Sequence, residues 1–114
     1  MDISEIVDLI ERDPARFGTT GEVADYFGIS SETLRREFFR RMRFHLHEFI
    51  AKKRIEKMKH LLLKTDKRCF EICFEVGFKR EDTAAKVFKR LARQTMEEYR
   101  KTCSSVLATK QKSH

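Results

Sequence analysis

The chain predicts an all-α fold of about seven helices, in which two similar units flank one long central helix. Three observations carry that expectation. Among 114 residues there are one Pro and four Gly, so little interrupts a composition rich in Leu, Phe, Glu, Lys and Arg, which favours helix. No run alternates apolar and polar residues for long enough to form a strand. Residues 45–64 contain neither Gly nor Pro, and Leu46, Phe49, Ile50, Ile55, Met58, Leu61 and Leu62 recur mostly at steps of three and four, the spacing of one helical face. At 1.5 Å per residue this central helix spans roughly 28 Å. Its apolar face reads as a shared core, with Lys52, Lys53, Arg54, Lys57 and Lys59 on much of the remaining surface.

The other elements follow from local signals. Asp2 to Asp13 reads as a first helix with Ile3, Ile6, Val7 and Ile10 on one face and Asp2 with Glu5 at capping-box spacing. Asp13-Pro14 ends it. Thr19 with Glu22 is a second capping box, opening a short helix that holds Val23, Ala24 and Phe27 and stops at Gly28. Ser30 is a good N-cap for a helix to about Met42, with Leu34, Phe38 and Met42 at steps of four and Arg35, Arg36, Arg40 and Arg41 on the other side. A short helix, a Gly-containing turn and an Arg-rich helix form the pattern of a helix-turn-helix. These residues alone fit an ordinary helical hairpin equally well.

After the central helix, Arg68 to Val76 reads as a short helix ending at Gly77. A helix from about Arg80 to Ala92 turns Ala84, Val87, Phe88 and Leu91 inward, and Thr95 with Glu98 caps a last helix holding Met96 and Tyr99. The chain thus divides into a first unit (1–44), the linking helix (45–64), a second unit (65–103) and a tail (104–114) that loses periodicity and reads as frayed. The length fits one ordinary domain or two very small ones sharing a core.

The formal charge of +7 is uneven: residues 1–28 carry −5, residues 29–68 carry +8 and residues 69–114 carry +4. Such a distribution points to a polyanionic partner, a nucleic acid or an anionic membrane surface. Membrane binding lacks support, because no apolar run is long enough to span and no amphipathic helix presents an aromatic face. Cys69, Cys73 and Cys103 form no even framework and no signal-peptide pattern accompanies them, which suggests a reducing, cytoplasmic setting.

The two halves repeat each other. Ala24 and Gly28 recur as Cys73 and Gly77, a shift of 49, whereas Phe38, Arg40, Arg43, Glu48 and Phe49 recur as Phe88, Arg90, Arg93, Glu98 and Tyr99, a shift of 50. The second copy has gained one residue in its turn. Because the small residue, the turn Gly and both aromatics keep their places, each half repeats one structural unit, and the helix-turn-helix reading gains over the hairpin.

These residues resemble the DNA-binding domain of the AraC/XylS transcription regulators over roughly residues 3–101. The resemblance rests on Ala24, Ile29-Ser30, Leu34, Arg36 and Phe38; on Phe49, Arg54 and Leu61-Leu62; and on Ile72, Gly77-Phe78, Phe88-Lys89 and Tyr99-Arg100. It implies two helix-turn-helix subdomains joined by a long central helix, binding double-stranded DNA as a monomer at adjacent major-groove segments of an asymmetric site. The 28 Å helix is close to the one-turn repeat of B-DNA, roughly 34 Å. The chain looks like the small stand-alone members of the MarA and SoxS type, which implies a transcription activator on the bacterial nucleoid with RNA polymerase as a candidate partner. The sequence departs from the family where Arg43 and Arg93 replace the usual Gly, and where Leu46 and Met96 replace the usual Pro. Those departures suggest recognition helices that end less sharply or run on by a turn. Glu37 and Ala85 stand where the family prefers an apolar residue and an aromatic, which puts local packing in question.

Family pattern and helical spacing together place base reading on Glu32, Thr33, Arg35 and Arg36 in the first unit. The second unit offers Arg80, Glu81, Asp82, Thr83 and Lys86 at the corresponding places. Arg36 is the leading candidate, since a guanidinium can donate two hydrogen bonds to guanine O6 and N7. Glu81 and Asp82 fit either a contact to cytosine N4 or plain N-terminal helix charges. Phosphate contacts are expected from Ser30, Ser31, Arg40, Arg41, Arg43, Lys89, Arg90 and Arg93.

No catalytic constellation, Gly-rich phosphate loop or cofactor motif is present, so the chain does not read as an enzyme. Cys69, Cys73, His60 and Cys103 lack the close pairs of a zinc site, and Cys73 falls at the small-residue slot matched by Ala24, which favours burial without metal. Phe39 and Phe70 fall outside the apolar stripes and are candidates for exposure. The competing reading is a protein-interaction module on the same fold, its basic face binding RNA polymerase or an acidic partner, with weak or non-specific DNA binding.

Overall fold

A computed structural model describes residues 2–102; Cys103 and the tail 104–114 lie outside the described residues. Seven helices follow one another within that range: α1 (Ile3–Arg12), α2 (Thr20–Phe27), α3 (Ser31–Met42), α4 (Leu46–Lys64), α5 (Cys69–Glu75), α6 (Glu81–Ala92) and α7 (96–102). The fold is all-α. No helix among the described residues is long and apolar enough to cross a membrane.

Local chemistry sets most boundaries. The Asp2 carboxylate accepts the Ser4 N–H at 2.9 Å and opens α1. Thr19 Oγ1 accepts the Glu22 N–H at 3.2 Å to open α2. Glu22 departs from a capping box, however: its carboxylate reaches one residue further back and accepts the Gly18 N–H at 2.6 Å. The reciprocal box forms at α7, where Thr95 N–H donates to Glu98 Oε1 at 2.9 Å and Glu98 N–H donates to Thr95 Oγ1 at 3.1 Å. The Thr95 amide first, and then the Thr95 hydroxyl, hold the Glu98 carboxyl below its usual range.

The chain forms two compact units, Met1–Arg54 and Ile55 onward. In the first, α1 contributes Ile3, Ile6 and Ile10, α2 Val23 and Ala24, α3 Leu34 and Phe38, and α4 Leu46, Phe49 and Ile50 to one cluster with Phe17. Arg54 corrects the expectation of an outward charge. It is buried, and donates from Nε to Pro14 O at 3.1 Å and from Nη2 to Phe17 O at 2.7 Å. It thereby ties α4 to the loop between α1 and α2. Burial lowers its pKa, and the Glu22 carboxylate opposes that shift.

The second unit gathers Ile55, Met58 and Leu62 of α4, Ile72 and Cys73 of α5, Val76 and Phe78 of the following turn, Ala84 and Phe88 of α6, and Met96 of α7. Here too a guanidinium holds main-chain carbonyls. Arg100 donates from Nε to Leu62 O at 2.9 Å and from Nη2 to Thr65 O at 3.2 Å, closing the end of α4. Cys73 occupies the slot of Ala24, with its Sγ 3.7 Å from Met96 Sδ, and burial pushes its thiol up to about 11.

The apolar residues of α4 therefore serve two clusters, where a shared core was expected. Leu46, Phe49 and Ile50 keep helical spacing, as do Ile55, Met58 and Leu62. A step of five, which is not a helical-face spacing, separates Ile50 of the first cluster from Ile55 of the second. Leu91 is a further correction. It is 39% exposed, and its counterpart Arg41 is exposed as well, so this position in the last turn faces outward in both units.

Candidate nucleic-acid interface

Each unit contains a helix, a left-handed glycine and a second helix. Gly28 (φ 67°) ends α2, and the Ile29 N–H returns to Ala24 O at 3.0 Å, satisfying a carbonyl of the last turn. Gly77 (φ 108°) does the same for α5, with the Phe78 N–H on Cys73 O at 3.1 Å. A β-carbon is disfavoured at such φ values, so glycine belongs at both places. The turn to α3 spans residues 28–30, and the turn to α6 spans 76–80. The insertion read from the repeat thus lies in the second turn, together with a shorter α5.

At the start of α3 the Ser30 hydroxyl accepts the Thr33 N–H at 3.1 Å and donates to Thr33 Oγ1 at 2.8 Å. Both side chains are engaged in the cap, and Thr33 is half-buried. Glu32, Arg35 and Arg36 are exposed and line one open groove of about 550 Å³ with Phe39, Arg40, Arg43 and His45. Phe39 stacks on His45 with ring centroids 4.8 Å apart. Sequence reasoning singled out Phe39 for exposure but did not place it, or His45, beside Arg35 and Arg36. The signal was available, since Phe39 lies three residues beyond Arg36 on the same helix face. Arg41 is exposed outside the groove lining, and Ser31 is half-buried. Glu37 is half-buried, with its carboxylate 3.4 Å from Arg40 Nη2.

The second unit arranges its candidates differently. Arg80 is the N-cap residue of α6 but makes no side-chain cap. It donates instead from Nε to Asp82 Oδ1 at 3.0 Å and from Nη2 to Asp82 Oδ2 at 3.1 Å. That fork holds the Asp82 carboxyl below the usual aspartate range. Glu81, Lys86 and Lys89 line an open groove of about 390 Å³ with Ala85 and the start of α7. Ala85 is exposed, so the missing aromatic leaves no hole in the core. Thr83, Arg90 and Arg93 are also exposed.

Arg43 and Arg93 end α3 and α6 sharply, contrary to the expectation of run-on helices. Both adopt the left-handed conformation, φ 67° and 65°, and their N–H groups bond Phe39 O at 2.8 Å and Lys89 O at 2.9 Å. The backbone keeps the glycine geometry although the residue has changed. A residue with a β-carbon incurs about 1–2 kcal/mol in that region.

A family model described as a helix-turn-helix domain, of the AraC type, matches residues 23–102. An uncharacterised HTH-type transcriptional regulator of Staphylococcus aureus (strain COL) is 29% identical over 98 residues, which cover 86% of this chain. The chain spans 13% of the length of that relative. The C-terminal domain of the two-component response regulator YesN from Fusobacterium nucleatum is 28% identical, with a TM-score of 0.75, covering 86% of this chain and 93% of that one. The DNA-binding domain of the global transcriptional factor AdpA, solved in complex with a target DNA, has the same fold at 19% identity and a TM-score of 0.79, covering 88% of this chain and 90% of that one.

Proposed function

The chain belongs to the AraC-type helix-turn-helix family, and from that premise we propose that it is a sequence-specific DNA-binding transcription regulator. The observation that carries this reading is α3. It follows a glycine turn, is capped by Ser30, and exposes Arg35 and Arg36 in its first half, the part of a recognition helix that reaches base edges. Arg36 is the principal base reader, with Glu32 and Arg35 beside it in the same groove. Thr33 and Ser30, engaged with each other, shape the helix start. Arg40, Arg41 and Arg43 grip phosphates on this side, as do Lys89, Arg90 and Arg93 on the other.

The two recognition helices read unequal halves of one asymmetric site as parts of a single monomer, linked through α4, whose 19 residues span about 28 Å. At promoters the chain acts as an activator that contacts RNA polymerase. Phe70 and Phe74, exposed one turn apart on α5, support a protein contact of that kind. Its place is the bacterial cytoplasm, on the nucleoid.

Selection from a random duplex pool tests the reading. The expected product is a site of roughly 15 to 20 base pairs with two unlike halves about one helical turn apart. If six to eight phosphates are neutralised, affinity falls with salt at a log-log slope of about −5 to −7. A pool with no enrichment, together with retained capture of RNA polymerase, would favour the protein-interaction reading.

A further inference from the structure

We propose that Asp82 is a positioning residue, holding the Arg80 guanidinium so that its free edge reads a guanine in the half-site of the second unit. This rests on the reading of the chain as a sequence-specific DNA binder and names a specificity device within it. The two bonds, Nε to Oδ1 at 3.0 Å and Nη2 to Oδ2 at 3.1 Å, are the parallel pair of a fork on a carboxylate. They occupy one edge of the guanidinium. The other edge, formed by Nη1 and the second hydrogen of Nη2, keeps two coplanar donors, the pattern that pairs with guanine O6 and N7.

Location agrees with that role. Arg80 and Asp82 stand at the N-cap and second residue of α6, at the end of a recognition helix that meets base edges. Their side chains are 74% and 55% exposed, so the free edge is accessible. Charge agrees as well. A lone carboxylate here would repel the duplex, whereas one paired with Arg80 forms a neutral unit. The fork also fixes a long side chain before DNA arrives. Immobilising such a side chain on binding otherwise reduces affinity by about three- to tenfold. The first unit has no counterpart, because Ser30 and Glu32 occupy the matching positions and the Ser30 hydroxyl is engaged with Thr33.

Binding-site selection with the full chain and with Arg80→Ala, Asp82→Asn and Asp82→Ala tests this. The unaltered chain is expected to select a guanine at one position of one half-site, and Arg80→Ala to lose it. Asp82→Ala should relax the same position about tenfold while leaving the other half-site intact and tightening binding to bulk duplex. Asp82→Asn, which keeps a single carbonyl acceptor, should fall between. Unchanged helical circular dichroism for each variant separates loss of readout from loss of fold. If Asp82→Ala keeps the guanine at full strength, or Arg80→Ala weakens every sequence alike, the inference fails while the two-part site stands. If the unaltered chain selects no sequence, the inference and the reading beneath it fail together.

Discussion

The two units share a backbone template but present different surfaces. Residues 30–43 and 80–93 each carry five Lys or Arg against two acids, a formal +3 in both. In the first unit Glu37 lies beside Arg40 in the middle of α3, and the helix opens on an uncharged Ser30 cap. In the second, both acids occupy the first turn of α6, and Asp82 is forked on Arg80. Total charge therefore does not distinguish the two helices; the placement of the charges along each helix does. The cores differ in the same way. Leu34 and Ala84 occupy matching, fully buried positions. The smaller Ala84 is accompanied by Ile72 and Cys73 where the first unit has Val23 and Ala24, so part of the volume lost from one helix is made up on the other, in keeping with close packing.

Substitutions at matched positions test how far the two units differ. The largest effect belongs to the buried Arg54 guanidinium. Arg54→Ala removes two bonds to carbonyls in a buried site and should destabilise the chain by about 3 kcal/mol, against about 1–2 kcal/mol for Arg100→Ala at its half-buried site. Urea unfolding followed by circular dichroism measures both, and equal losses would remove the distinction. Core volume is expected to be similarly unforgiving. Leu34→Ala should cost about 3 kcal/mol through the cavity it leaves, and Ala84→Leu about 1–3 kcal/mol through overpacking. A neutral Ala84→Leu in thermal melts would mean the second core has unused space.

Readout comes next in size. Arg36→Ala should lose about 1–3 kcal/mol of discrimination at one base pair, whereas Lys89→Ala should weaken all sequences alike and reduce the salt slope by about one. Titrations on matched and mismatched duplexes distinguish these outcomes, and uniform loss in both variants would unseat Arg36 as a reader. The smallest effect is expected at the helix ends. Arg43→Gly or Arg93→Gly should raise stability by about 1 kcal/mol by relieving the left-handed strain and at the same time lower DNA affinity. A gain in stability with no change in affinity would place these arginines away from the phosphates.

Interactions between residues near in sequence account for most of the features legible in the sequence. Periodicity, the Ser30 and Thr95 caps, the glycine turns and the shift of 49 then 50 located the helices to within a residue or two, because each depends on contacts within one or two turns. Helical spacing puts Arg35 and Arg36 on the outer face of α3, and only the family pattern added to that spacing made them candidate readers. What spacing could not supply was the company each side chain keeps. Arg54 reads as one more basic residue on α4, yet carbonyls 40 and 37 residues away in sequence take it into the interior. Ile55 looks like a continuation of the stripe through Ile50, although a single step of five hands it to a second cluster. Arg80 and Asp82 read as separate charges until χ angles bring them into a fork. An all-helical, duplicated chain with a basic helix after each glycine turn is written into the order of its residues, since those properties reside in local periodicity and capping. Tertiary structure alone decided which charges are buried, which are paired and which remain to meet DNA, because burial and pairing depend on groups that the fold, and not the chain order, brings together.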